Sequence, residues 1–249
     1  MEGPTKLARE VKKRLDVLLV ERGLAESRAQ AQALVLAGRV RGHAKAGEQV
    51  EESAELDVEG GRRFVSRGGD KLANAFDALG VDVAGEDCLD VGASTGGFTD
   101  ALLQAGAARV TALDVGYGQL DARLRQDARV TVLERVNVRN LDCGVLPYRP
   151  GFVTCDVSFI GLAKALPPAL ACAAPGWRAL ALVKPQFEAG PADVGKGGVV
   201  RDEGVRQRVL TEIVGRVPSW GGRVVATCES GVPGPKGNRE IFVYIADDR

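Results

Sequence analysis

Histidine, methionine and aromatic residues are scarce in this 249-residue chain, which has one His, one Met and 5% aromatics. With His43 as the sole imidazole, a structural zinc site lacks its usual ligands, and a Ser-His-Asp or Cys-His arrangement would have to use that one residue. The five cysteines (Cys88, Cys143, Cys155, Cys172 and Cys228) are odd in number and never spaced C-x-x-C. They sit mostly in apolar, strand-like runs, which reads as free buried thiols in a reducing compartment and not as a disulfide framework. No uncharged apolar run approaches the roughly 18–20 residues that span a bilayer. The most apolar stretch, 165–175, is too short and carries three prolines. The N-terminus is charged and lacks the apolar core of a secretory signal. Thirty-three basic and 33 acidic side chains cancel, so any attraction to nucleic acid must be local. These features predict a soluble, cytoplasmic protein of one large domain or two unequal ones.

The charge is not evenly spread. The first 50 residues hold ten Lys/Arg against six Asp/Glu. Leu15, Leu18 and Leu19 form a helical stripe stopped by Gly23. Ser27 is a candidate N-cap for a second helix whose apolar face is Ala31, Leu34 and Val35 and whose end is Gly38. Short strands and turns are expected over 40–58. A module of this size lies near the lower limit for independent folding.

From Asp87 the texture changes to alternating strands and helices. Strands are predicted over 88–91, 110–115, 130–134, 152–157, 179–183, 223–228 and 240–245. That alternation indicates a mostly parallel sheet with helices on both faces. A Gly/Pro-rich loop joins the last two strands, so a hairpin there would make the final strand antiparallel to its neighbour. The stretch CLDVGASTGGFTDALL (88–103) runs from a buried strand through a glycine-rich turn into an amphipathic helix. In an open α/β sheet the carboxyl end of the first strand is where a nucleotide-like ligand sits. Asp90, Gly92, Ser94, Thr95, Gly96, Gly97 and Phe98 are therefore candidate cofactor residues. Neither G-x-G-x-x-G nor a P-loop is present. One strand later Asp114, followed by Val115, offers a carboxylate for ribose hydroxyls. An adenosine-bearing cofactor without a pyrophosphate, such as S-adenosylmethionine, suits this pattern. The alternative is that Asp90 and Asp114 are turn formers around a helix cap.

The blocks VSRGGDKL (65–72), DVGASTGGFT (90–99), DVGYGQL (114–120), DVSFI (156–160), LVKPQFE (182–188) and GNREIFVY (237–244) resemble the TlyA family of rRNA ribose 2′-O-methyltransferases. The segment 14–40 resembles an alpha-L type RNA-binding domain. The resemblance implies a Rossmann-like methyltransferase with a seven-stranded, mostly parallel sheet and a small N-terminal α+β RNA-binding domain. The expected divisions are 1–60 for the RNA-binding domain, 61–70 for a linker and 71–249 for the catalytic domain. It also implies a Lys-Asp-Lys-Glu set at Lys71, Asp156, Lys184 and Glu240. Asp156 and Lys184 each end an apolar strand, and a lysine there is costly to bury without a partner or a job.

Methyl transfer to a ribose hydroxyl requires in-line alignment and removal of the hydroxyl proton. Lys184 is expected to take or polarise that proton, Asp156 to orient it, and Lys71 and Glu240 to hold the ribose and the lysines in register. Asn137 stands where the family places an acidic contact to adenine. Lys12, Arg14, Arg28, Arg39 and Arg41 are expected to meet RNA, with Glu26 an acid on the same face. Arg67, Arg135 and Arg139 would meet phosphates near the target, and Lys196, in the loop 190–200, would close over substrate. The implied partner is rRNA in ribosomal subunits, with no DNA, membrane or metal. Some members of the family modify both subunits and others only the large one; a chain that stops soon after its last strand favours 23S rRNA alone, whereas about a dozen residues before Arg14 point to the type that also modifies 16S rRNA. The other classes considered are a non-catalytic RNA-binding assembly factor and a haemolysin; the latter lacks any inserting segment.

Overall fold

The computed structural model describes residues 11–25, 27–58, 63–234 and 236–248. Residues 1–10 and Glu26 lie outside these. The chain divides between Arg63 and Phe64 into two units.

In the N-terminal unit β1 (Lys12–Arg14) leads directly into α1 (Leu15–Glu21), and α2 (Arg28–Leu36) follows. The Ser27 hydroxyl caps α2 by accepting the Gln30 N–H at 3.2 Å, satisfying one of the donors that a helix start leaves unpaired. A short strand β2 (Gln49–Glu51) pairs antiparallel with β1. The two helical stripes meet: Leu15, Leu18, Leu19, Ala31 and Val35 form one small core with Val40, Val50 and Val58.

The larger unit begins with α3 (Arg67–Leu79). It continues through β3 (Asp87–Val91), α4 (Gly97–Gln104), β4 (Arg109–Asp114), α5 (Ala122–Gln126) and β5 (Val130–Glu134). There follow β6 (Phe152–Cys155), α6 (Leu162–Ala171), β7 (Arg178–Val183), α7 (Pro185–Glu188) and α8 (Glu203–Arg216). The hairpin of β8 (Gly222–Glu229) and β9 (Ile241–Asp247) completes it. The sheet order is β5-β4-β3-β6-β7-β9-β8. The first five strands are mutually parallel and β9 is antiparallel to both neighbours. The chain runs outward from β3 to β5 and returns to β6 on the other side of β3. This reversal leaves a crevice at the carboxyl ends of β3 and β6. All seven expected strands are present. The insertion of β9 between β7 and β8 was not foreseen, although the burial pattern explains it. Phe242, Val243 and Ile245 of β9 are fully buried, whereas beyond Gly222 β8 alternates between half-buried and exposed as an edge strand does.

Two expectations need correction. Residues 64–70 are not a linker: Phe64 is buried in the larger unit's core, the Val65 N–H donates to Asp100 at 2.8 Å, and Arg67–Asp70 form the first turn of α3. The reason is local. Gly69 leaves room for Phe64, whose Cβ would lie 2.3 Å from any Cβ at position 69. Nor are all five cysteines free. Cys143 and Cys172 are disulfide-bonded, with Cα atoms 5.1 Å apart, within the range such a bridge needs. Cys88, Cys155 and Cys228 are free. A separation of 29 residues hid the pair. The turn at Cys143–Val145 and the end of α6 come together only when β6 folds between them.

Helix α3 packs on α4 through glycines. A Cβ on Gly97 would lie 2.2 Å from Ser66 Oγ and 2.9 Å from the Gly69 backbone nitrogen. Gly97→Ala should therefore destabilise the protein by about 1–3 kcal/mol, read as a lowered urea midpoint at unchanged slope. Thiol titration of the unreduced, denatured chain should find three reactive thiols, rising to five after reduction.

Candidate active site

The loop after β3 is shaped by one close approach. Gly92 has φ +86°, and a Cβ there would lie 2.5 Å from the Asp156 carbonyl oxygen, so both its conformation and its surroundings call for glycine. The Asp156 N–H donates to the Val91 carbonyl at 2.9 Å, tying this loop to the end of β6. Beyond Gly92 the Ser94 N–H donates to Asp114 Oδ2 at 2.8 Å, and the Gly116 N–H donates to Asp114 Oδ1 at 2.6 Å. Asp114 is thereby fixed at the end of β4, while each of its oxygens retains a further acceptor site.

These loops surround a cavity of about 520 Å³ lined by Gly92, Ser94, Asp114, Val115, Gln119, Val136, Asn137, Val138, Arg139, Asp156, Phe159 and Ile160, among others. Gln119 was missed by sequence reasoning; it holds Ser94 through a 3.3 Å bond between their side chains. Asn137 Oδ1 accepts the Arg139 N–H at 3.1 Å, starting a short turn after β5.

Five of the expected cofactor residues do not line this cavity. Asp90 is fully buried and accepts from Thr99 Oγ1 at 2.7 Å and Thr154 Oγ1 at 3.0 Å. Burial, with a smaller contribution from the charge on Asp156, pushes its carboxyl up to about 7. The Thr95 carbonyl accepts from the Asp121 N–H at 3.2 Å. Gly96 faces Leu120 and Leu124, Gly97 faces α3, and Phe98 packs against Phe242 in the core, with ring centroids 5.9 Å apart.

The four expected catalytic residues come to one edge of the sheet. Lys184 follows β7 and forms an ion pair with Asp156, which follows β6. Its Nζ also donates to Ser158 Oγ at 3.1 Å. On the inner face of α3, Lys71 forms an ion pair with Glu240, which immediately precedes β9. Gln186 Nε2 donates to Glu240 Oε1 at 3.2 Å. Side-chain exposures are 12% for Lys184 and 21% for Asp156, against 9% for Lys71 and 1% for Glu240. The Lys184–Asp156 pair is thus the more exposed of the two, and Asp156 also lines the cavity. Phe159 stands beside them with φ +66° and 94% exposure, its ring 5.3 Å from that of Phe187. A bulky residue in the left-handed region and in solvent is uncommon, and sequence reasoning did not single it out.

The basic candidates are distributed more widely. The Arg135 guanidinium lies 4.2 Å from the Tyr117 ring centroid, Arg139 lines the cavity, Arg67 opens α3, and Lys196 is exposed in the turn bridged by Gly195 and Val199. In the N-terminal unit Lys12 and Arg39 are exposed, Arg41 pairs with Asp57 at 3.3 Å, and Arg14 and Arg28 converge on Asp16.

A mostly parallel sheet that reverses beside β3, a cavity at the carboxyl ends of its strands and an anchored carboxylate one strand on define a Rossmann-like methyltransferase. Residues 64–246 match the family of FtsJ-like methyltransferases and residues 13–41 match the S4 domain. The chain belongs to the TlyA group of FtsJ-like methyltransferases. It is 46% identical over 238 residues to the 16S/23S rRNA (cytidine-2′-O)-methyltransferase TlyA of Mycobacterium tuberculosis, covering 93% of this chain and 89% of that one. Over 182 residues it is 34% identical to the 23S rRNA (cytidine-2′-O)-methyltransferase TlyA of Campylobacter jejuni, covering 73% and 70%. A solved Streptococcus thermophilus protein bearing a hemolysin label superposes with a TM-score of 0.74 at 39% identity, covering 96% of this chain and 90% of that one. Among the described residues no helix is long and apolar enough to cross a membrane.

The state of Asp90 has a measurable consequence. Its folded-state carboxyl keeps a proton up to about pH 7, while the unfolded chain releases it near 3.8. The folded state therefore binds the extra proton between those limits, and this contribution to stability falls as pH rises through that window. Asp90→Asn should flatten the decline, measured by thermal unfolding across the same range.

Proposed function

We propose that this chain transfers a methyl group from S-adenosylmethionine to the 2′-hydroxyl of a cytidine ribose in rRNA, acting on ribosomal subunits in the cytoplasm. The observation that carries this reading is the Lys184–Asp156 pair at the rim of the cavity, backed by the buried Lys71–Glu240 pair.

The cavity suits the cofactor. About 520 Å³ lies within the roughly 300–1,000 Å³ of small-molecule sites. The anchored Asp114 would accept the ribose diol of the cofactor, Val115, Val136 and Val138 would flank its adenine, and Asn137 would offer an amide to the base edge. Asp90, Thr95, Gly96, Gly97 and Phe98 would support the loop from behind. When bound, S-adenosylmethionine supplies a methyl carbon activated by its sulfonium. The protein contributes alignment and proton removal. The target hydroxyl would sit against Lys184, whose Nζ would pass one proton to Asp156 and take the hydroxyl's in its place as the new O–C bond forms and the S–C bond breaks. Lys71 and Glu240, steadied by Gln186, would fix the geometry around Lys184. Phe159 offers an exposed aromatic face at the mouth, suited to stacking on an unpaired base.

RNA would be gripped through phosphates, which set register without reading bases. Lys12, Arg14, Arg28, Arg39 and Arg41 serve this role in the S4 unit, and Arg67, Arg135, Arg139 and Lys196 in the catalytic unit. The 23S rRNA is favoured as substrate because it is common to the names of the Mycobacterium tuberculosis and Campylobacter jejuni relatives.

Tritium transfer from labelled S-adenosylmethionine to purified 50S and 30S subunits tests the reading. Label should enter 50S subunits and fall by about 10²–10⁴-fold in Lys184→Ala, with cofactor binding retained. Near-normal turnover by that variant would overturn the role given to Lys184. No transfer to either subunit would overturn the substrate.

A further inference from the structure

Asp16 has no exposed surface, yet two of the residues bonded to it are half in solvent. Its carboxylate receives four hydrogen bonds. Arg14 Nε donates to Oδ1 at 3.0 Å, while Arg14 Nη2 at 3.0 Å, Arg28 Nη2 at 3.0 Å and Gln32 Nε2 at 2.9 Å donate to Oδ2. These donors hold the carboxyl well below the usual carboxylate range. Arg14 keeps 44% and Arg28 56% of its side-chain surface exposed. The backbone of Gly47 lies against the Arg14 guanidinium, so closely that a Cβ would sit 3.3 Å from Nη2.

Neutralising one buried carboxylate requires one cation. This one holds two, from the end of β1 and the start of α2, on a shared oxygen. Two guanidinium groups brought so close repel each other; with the anion between them they stay together, and one positive charge is left over at the surface. Its two bonds to Asp16 fix the Arg14 guanidinium in plane, and the Nη1–Nη2 edge, turned away from Asp16, suits bidentate recognition of phosphate. Ordering that would otherwise oppose binding is completed in the free protein.

We propose that Asp16 is a positioning residue for RNA, holding Arg14 and Arg28 side by side as a preformed receiver for a backbone phosphate. This rests on the reading of the S4 unit as an RNA-binding module. It separates from a simple charge effect by sign. Asp16→Asn keeps the shape and adds one positive charge to the unit. If Arg14 and Arg28 act through charge alone, the variant binds RNA more tightly. If Asp16 positions them, it binds less tightly.

The test is retention of the full-length protein on purified 50S and 30S subunits by filter binding across a salt series. The expected result for Asp16→Asn is at least tenfold weaker binding and a shallower dependence on salt, because fewer phosphates are engaged. The same substitution added to Arg14→Ala should cost less than threefold, because one of the residues it positions is already gone. A thermal melt reports folding. Should Asp16→Asn lose its transition, Arg14→Lys decides, since it conserves charge but cannot make the fork. Weaker binding by that variant supports the proposal and unchanged binding overturns it. Equal or tighter binding by folded Asp16→Asn also overturns it. A wild-type chain retained on neither subunit overturns the RNA-binding reading and this proposal with it, an outcome distinct from loss of methyl transfer.

Discussion

The backbone at Gly92 passes so close to the Asp156 carbonyl that no side chain fits between them, and the rest of the site is arranged around that contact. It exists because β3 and β6 are neighbours although distant in the chain. On one side of the contact the loop after β3 turns early enough for the Ser94 N–H to reach Asp114. On the other, Asp156 lines the cavity and meets Lys184. One tight approach thus joins the walls of the pocket to the residues at its mouth.

Around that contact the carboxylates fall into different electrostatic states. Asp90 is buried between two threonine hydroxyls, with no cation among the described residues bonded to it, and burial favours its protonated form. Asp156 and Glu240 each hold a lysine. Asp114 is held by backbone N–H groups and stays accessible at the cavity wall. Burying charge is unfavourable unless it is paired, so the two ion pairs are what allow two lysines to stand at the edge of an apolar sheet. The same economy recurs in the N-terminal unit, where the buried Asp16 orders Arg14 and Arg28.

Much of this was legible from sequence because its causes are local. Short runs rich in β-branched and aliphatic residues marked all seven strands of the large sheet, and Ser27 marked a helix start with its hydroxyl. Asp156 and Lys184 were recognisable as polar residues ending apolar strands, and the resemblance added Lys71 and Glu240. Proximity in the glycine-rich motif was a poorer guide. Asp90, Thr95, Gly96, Gly97 and Phe98 belong to the same run as Gly92 and Ser94, but none of the five lines the pocket. Phe159 and Gln119 gave no periodic signal, and their positions depend on loops.

What the sequence determined by itself, then, was the two-part organisation, the strands, the helices and the types of residue available for chemistry. Hydrophobic period and turn residues encode these within a few positions along the chain. Tertiary structure alone decided the insertion of β9 between β7 and β8, the Cys143–Cys172 bridge, and which carboxylates meet lysines, solvent or threonines. Each is a contact between segments far apart in the chain. The pairing of Lys71 with Glu240 spans 169 residues, and no local pattern records which distant side chain will fill the space beside a given residue.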